Sequence, residues 1–82
     1  MVNDMDNTMA LGTCTYTVQE AEPKGDDCFV ITSTPADGFW EWASWLQETK
    51  KLVTINGHEG FHVETAYRSG DVVELLCRRW KK

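Results

Sequence analysis

At 82 residues the chain has room for one domain, and a chain of that size buries only about 60% of the surface its unfolded form exposes, which leaves little material for a deep catalytic cleft. With 41% hydrophobic and 26% charged residues it has the composition of a globular domain, and nowhere do the ~18 apolar residues of a membrane-spanning helix run together. The net charge of -5 is unevenly distributed: residues 1–48 carry nine acids against the single base Lys24, net -8, while residues 49–82 carry net +3. Such asymmetry favours an oriented encounter with a charged partner.

The opening segment, residues 1–10, is rich in Asn and Asp, has no periodicity, and reads as a flexible tail. It lacks the basic and apolar regions of a secretory signal, so no export is expected. In "GTCTYTVQEAE", Cys14, Tyr16 and Val18 alternate with Thr13, Thr15 and Thr17, the period of a strand with one buried face. Pro23 and Gly25 in "PKGDD" supply turn chemistry, and "CFVITST" returns as the antiparallel partner. At "TPAD" the chain changes character: Thr34 suits an N-cap, Pro35 the first helical position, and Asp37 lies three residues past the cap. A helix is predicted from there to about Lys51. It would turn Phe39, Trp42, Ala43 and Leu46 to the core and Glu41, Ser44, Glu48 and Lys51 to solvent. Three short β patterns follow, "LVTI", "GFHVETAY" and "DVVELLCRRW", joined at "NGHEG" and "RSGD". The predicted fold is therefore α+β, with one helix packed on an antiparallel sheet in ββαβββ order. It occupies residues 11–82 as a single domain.

"HEGFH", residues 58–62, matches the H-E-x-x-H pattern in which two histidines hold zinc and the glutamate acts as general base. That chemistry needs a helix, where residues four apart share a face at ~5–6 Å. In a strand, at ~3.3 Å per residue, they are ~13 Å apart. Gly57 and Gly60 disfavour helix by about 1 kcal/mol each, and Phe61, Val63, Thr65 and Tyr67 alternate as in a strand. The strand reading prevails; a small zinc hydrolase is the weaker alternative, and neither a metal nor a cofactor is expected. Cys14, Cys28 and Cys77 are odd in number and form no C-x-x-C, so they read as reduced, strand-borne thiols suited to the cytoplasm, ahead of a Cys14–Cys28 disulfide. With no phosphate or dinucleotide fingerprint either, the chain reads as non-enzymatic.

Binding is the remaining class. Three of the four tryptophans lie in "FWEWASW". Trp42 belongs to the core stripe, whereas Trp40 and Trp45 fall on its flanks beside Glu41 and Glu48, the pairing of aromatic anchor and polar rim found at protein interfaces. The C-terminal "RRWKK" would suit phosphate contacts with a base stacked on Trp80, but the acidity of the rest of the chain opposes direct nucleic-acid binding.

In length, in the acidity of residues 1–48 and in the lack of a catalytic motif, the chain resembles the small acidic inhibitor proteins of phages and mobile elements, anti-CRISPR proteins among them. The resemblance implies a non-catalytic protein-binding module in a host cytoplasm, presenting carboxylates to the basic surface of a nucleic-acid-binding host protein such as a CRISPR effector. Glu20, Glu22, Asp26, Asp27, Glu41 and Glu48 would supply the charge, and Trp40 or Trp45 the apolar anchor. The alternative is a self-associating structural or accessory domain, a homodimer formed through a sheet edge or the tryptophan-bearing helix.

Overall fold

The computed structural model describes residues 7–80. Seven strands and one α-helix follow in the order ββββαβββ: β1 (Asn7–Leu11), β2 (Cys14–Val18), β3 (Glu20–Pro23), β4 (Cys28–Ser33), α1 (Phe39–Thr49), β5 (Val53–Ile55), β6 (His58–Ser69) and β7 (Val72–Arg79). The class is α+β with an antiparallel sheet, but the ββαβββ order is corrected, because two strands were hidden in the first third of the chain. One is β1, which takes up residues 7–10 of the expected tail; residues 1–6 lie outside the described residues. The other arises because "GTCTYTVQEAE" is two strands rather than one.

The break falls at Gln19, for a reason of side-chain phase. In β2 the inward residues are the even-numbered Tyr16, which packs beneath α1, and Val18, which is buried, while Cys14, expected in phase with them, is exposed at the hairpin end. In β3 the inward residue is odd, since Ala21 pairs with the fully buried Ile31 while Glu20 and Glu22 pair with Thr32 and Val30. A strand whose side chains alternate cannot change phase without an extra residue. Gln19 and Glu20 both remain exposed, and the chain bends there.

That bend shapes the molecule. The sheet order is β2-β1-β5-β6-β7-β4-β3, so its two edge strands are β2 and β3, separated in the chain by Gln19 alone. The sheet must therefore curl until its ends meet. β1 touches β3 and β2 touches β4 at the seam, and Asn7 donates a 3.2 Å hydrogen bond from its side chain to the Gln19 carbonyl. Inside the curl lies one core, in which Met9, Ile31, Ile55, Phe61, Val63 and Leu75 are fully enclosed. Each such side chain contributes about 1.5–3 kcal/mol on burial.

The helix starts later than the sequence predicts. Ala36–Gly38 form a 3-10 turn, and α1 begins at Phe39 with Gly38 before it at φ 79. A left-handed residue interrupts helical progression and suits glycine best, so Thr34 does not cap α1. At the other end Lys50 takes φ 59 and its N–H reaches the Leu46 carbonyl at 2.9 Å, a left-handed cap that ends the helix before Lys51. Phe39, Ala43 and Leu46 are buried in the same core as the strands, and α1 packs mainly on β6.

Candidate protein-binding surface

The residues singled out from sequence fall on two elements. On the β3–β4 hairpin, Glu20 and Glu22 point outward from β3 and Asp26 projects from the turn, all exposed. Lys24 pairs with Glu22 at 3.4 Å. Asp27 is half-buried and bound to Arg79: the carboxylate lies 3.4 Å from the guanidinium, and the Arg79 N–H donates to the Asp27 carbonyl at 2.7 Å. Asp27 thus anchors the hairpin to β7, and the outward-facing set reduces to Glu20, Glu22 and Asp26. On α1, Glu41 and Glu48 are exposed. Trp40 is half-buried and packed against the core. Trp45 is 41% exposed, with the Lys51 ammonium 5.8 Å from its ring centroid. Trp42 is committed inward, stacked on Tyr16 at 4.5 Å. With α1 on β6 and the hairpin at the end of the sheet order, the acids form two separate groups, and an apolar anchor is exposed on only one of them.

HEGFH is extended, at the start of β6. Its two imidazoles face opposite sides of the sheet. His58 pairs with the buried Ile55 and its ring lies 5.8 Å from that of Phe29, whereas His62 pairs with Arg78 on the outer side and meets Trp80 edge-on at 5.7 Å. Residues four apart in a regular strand would share a side; a bulge at Gly60, φ 88, accounts for the difference. Among the described residues no three of His, Cys, Asp and Glu gather as a ligand set. A second bulge between Val63 and Thr65 shifts the alternation again: Ala66 packs toward the core, and Tyr67, expected in phase with Phe61 and Val63, is 59% exposed.

In the basic C-terminal stretch, the two described bases, Arg78 and Arg79, are both paired with carboxylates. Arg78 donates from Nε to the Glu64 carboxylate at 2.8 Å, which holds the Glu64 carboxyl below its usual range and raises Arg78 further. Arg79, besides Asp27, lies over the Phe61 ring at 4.7 Å. Trp80 is 53% exposed; Lys81 and Lys82 lie outside the described residues. All three cysteines are free. Burial pushes the Cys77 thiol up to about 12, with the neighbouring Cys28 adding to the shift, so it stays protonated at neutral pH and is a poor nucleophile.

One feature escaped the sequence reading. A cleft of about 390 Å³ opens between β2 and the segment that leaves β4, lined by Thr15, Tyr16 and Thr17 on one side and Ser33, Thr34, Ala36 and Phe39 on the other. Its signal in the sequence is Pro35, whose fixed φ and missing N–H end the ladder of β4 just after Ser33, at a position that suits a helix start equally well.

No family model, curated protein or solved structure matches the chain. Among the described residues, no helix is long and apolar enough to cross a membrane.

Proposed function

We propose that the protein is a non-catalytic binding module that places carboxylates on the basic surface of a nucleic-acid-handling protein and so excludes that protein's nucleic acid, as an inhibitor of a CRISPR effector would. The observation that carries this reading is an imbalance of available charge. Glu20, Glu22 and Asp26 stand exposed on one hairpin with Lys24 as the only base there, while Arg78 and Arg79 are engaged by Glu64 and Asp27. Exposed like charges on one hairpin accelerate encounter with a basic groove, and Trp45 on α1 supplies a second point of attachment.

The test is inhibition of DNA binding by a panel of CRISPR effector ribonucleoproteins, followed by gel shift. Inhibition that weakens as salt rises, and that is lost in Glu20→Lys/Glu22→Lys/Asp26→Lys, is the expected result. Absence of inhibition across the panel, or equal inhibition by the charge-reversed variant, rejects the reading.

A second reading, self-association through the helix and the segment that follows it, draws on Trp45 of α1 and Leu52 beyond its end, which are 41% and 44% exposed. It requires a dimer by light scattering that Trp45→Ala abolishes.

A further inference from the structure

The β1–β2 hairpin closes through a two-residue turn with Leu11 opposite Cys14. The closing pair of such a hairpin exchanges both backbone hydrogen bonds, and the pattern alternates from there. Tyr16 and Val18 are therefore bonded to β1, while Thr15 and Thr17 turn their N–H and C=O groups the other way. The partner strand agrees: Thr8, opposite Thr17, has its carbonyl bound by the Asn56 N–H at 3.0 Å and its N–H bound to the Asn56 side chain at 2.9 Å, both on the side away from β2. Thr15 and Thr17 face the cleft, and among the described residues no backbone hydrogen bond crosses from the Ser33–Phe39 wall to meet them. Among the described residues that line the cleft, none is charged. In the chain, two exposed acids lie close to these lining residues, Glu20 just past the end of β2 and Glu41 in the first turn of α1, two residues after Phe39.

We propose that this cleft binds an extended peptide segment of a partner protein, one that adds a strand to β2 through the backbone groups of Thr15 and Thr17. The segment is uncharged where it lies in the cleft and basic at its ends. Strand addition of this kind takes its affinity from main-chain hydrogen bonds at an open edge. A volume of about 390 Å³ falls within the range of small binding sites. The hydroxyl and aromatic side chains described in the lining favour an uncharged centre for the segment, and the carboxylates of Glu20 and Glu41 favour basic flanks. The basic flanks rest on the proposed attraction to a basic partner; the strand-pairing groups do not.

The probe is the synthetic peptide Lys-Lys-Thr-Val-Thr-Val-Thr-Lys-Lys, with residue-resolved amide exchange as the readout. In the free protein the Thr15 and Thr17 amides should exchange fast and the Tyr16 amide slowly. Saturating peptide should slow Thr15 and Thr17 by about tenfold or more, the scale set by one net hydrogen bond, and leave Tyr16 unchanged. Thr17→Pro, which removes a cleft-facing donor at an edge position where proline is tolerated, should keep the fold and lose the peptide. Should that variant fail to fold, the peptide N-methylated at its central amides makes the same test on the wild-type chain, and it should not bind. Four outcomes overturn the proposal: slow Thr15 and Thr17 exchange in the free monomer; no protection at saturating peptide; undiminished protection by the N-methylated peptide; or protection that grows with protein concentration alone alongside a dimer in light scattering, which would make a second copy the occupant. Equal binding by a lysine-free peptide overturns the basic flanks. Peptide binding without effector inhibition rejects the charge reading alone, and inhibition without peptide binding rejects the cleft alone.

Discussion

The two edge strands of this sheet are consecutive in the chain and opposite in character. β3 is guarded. Its outward row is Glu20 and Glu22. Where the β3–β4 hairpin closes, the Lys24 N–H donates to the Cys28 carbonyl at 2.8 Å. Alternation from that bond puts Pro23 at an unbonded position, its missing donor facing the free edge. These are the devices by which proteins blunt an edge against unwanted pairing. β2, "CTYTV", has neither charge nor proline, and its free backbone groups open on a cleft. An edge left unguarded in a chain that guards its other edge is the place to look for a partner strand, while the guarded edge carries the carboxylates of the proposed contact with a basic partner.

The comparison requires that β2 be held firmly from within while its rim stays open. Tyr16 is what holds it, with its ring stacked on Trp42 and 5.6 Å from Phe39. Because Tyr16 is only half-buried, Tyr16→Ala should cost about 2–3 kcal/mol in urea denaturation, below the ~3–5 kcal/mol of a fully buried aromatic. A loss of less than about 0.5 kcal/mol, the size of an ordinary surface substitution, would mean that β2 is not anchored by the helix at all. Next in size is Gly38→Ala. An added Cβ meets nothing nearer than the Tyr16 hydroxyl at 3.9 Å. The cost is then that of holding alanine in the left-handed region, about 1–2 kcal/mol. If strain at Gly38 also shifts the cleft wall, the variant should weaken peptide binding beyond its effect on stability.

Stripping β3 of its guard tests the contrast directly. Glu20→Thr with Glu22→Thr copies the outward row of β2 onto β3 at two exposed sites, so stability should change by no more than about 0.5 kcal/mol. Self-association at high concentration should appear in sedimentation where the wild type shows less, and effector inhibition should fall. If the double variant behaves as wild type in both, the carboxylates are neither guards nor contacts.

Much of the fold was legible because strong local chemistry agreed with the final structure. Asn56–Gly57 marked the β5–β6 turn, with both residues at positive φ, and the i, i+4, i+7 spacing of Phe39, Ala43 and Leu46 marked the helix face. What escaped was phase. Period-two counting treats a strand as uninterrupted, but Gln19, Gly60 and the Val63/Thr65 bulge each insert a residue and reverse which side chains face inward. Those reversals separate β2 from β3, split His58 from His62, and turn Tyr67 outward. β1 escaped for a different reason: "NTMAL" has one fully buried residue, Met9, and is a strand because β2 and β5 pair with it on both sides. The acidic candidates were readable as charges, but whether a carboxylate faces solvent or a guanidinium depends on partners distant in sequence, as Asp27 and Arg79 demonstrate.

The smallest effect concerns a carboxylate of the opposite kind from those of β3. Glu64 lies at the β6 bulge and is bonded to Arg78 on β7, so it ties an irregular stretch to its neighbour where Glu20 and Glu22 face water. Because the Arg78 hydrogen bond lowers its pKa in the folded state, folding favours the ionised form. That contribution is fully present above the carboxyl's ordinary value and is lost as pH falls through the lowered one. Glu64→Gln should therefore melt slightly below wild type at neutral pH, and the gap should close on acidification through the lower carboxylate range. Both side chains are substantially exposed, so salt should narrow the neutral-pH gap as well. A gap that persists unchanged in acid would assign the effect to packing at the bulge, and the charge on Arg78 would then be available to a partner after all.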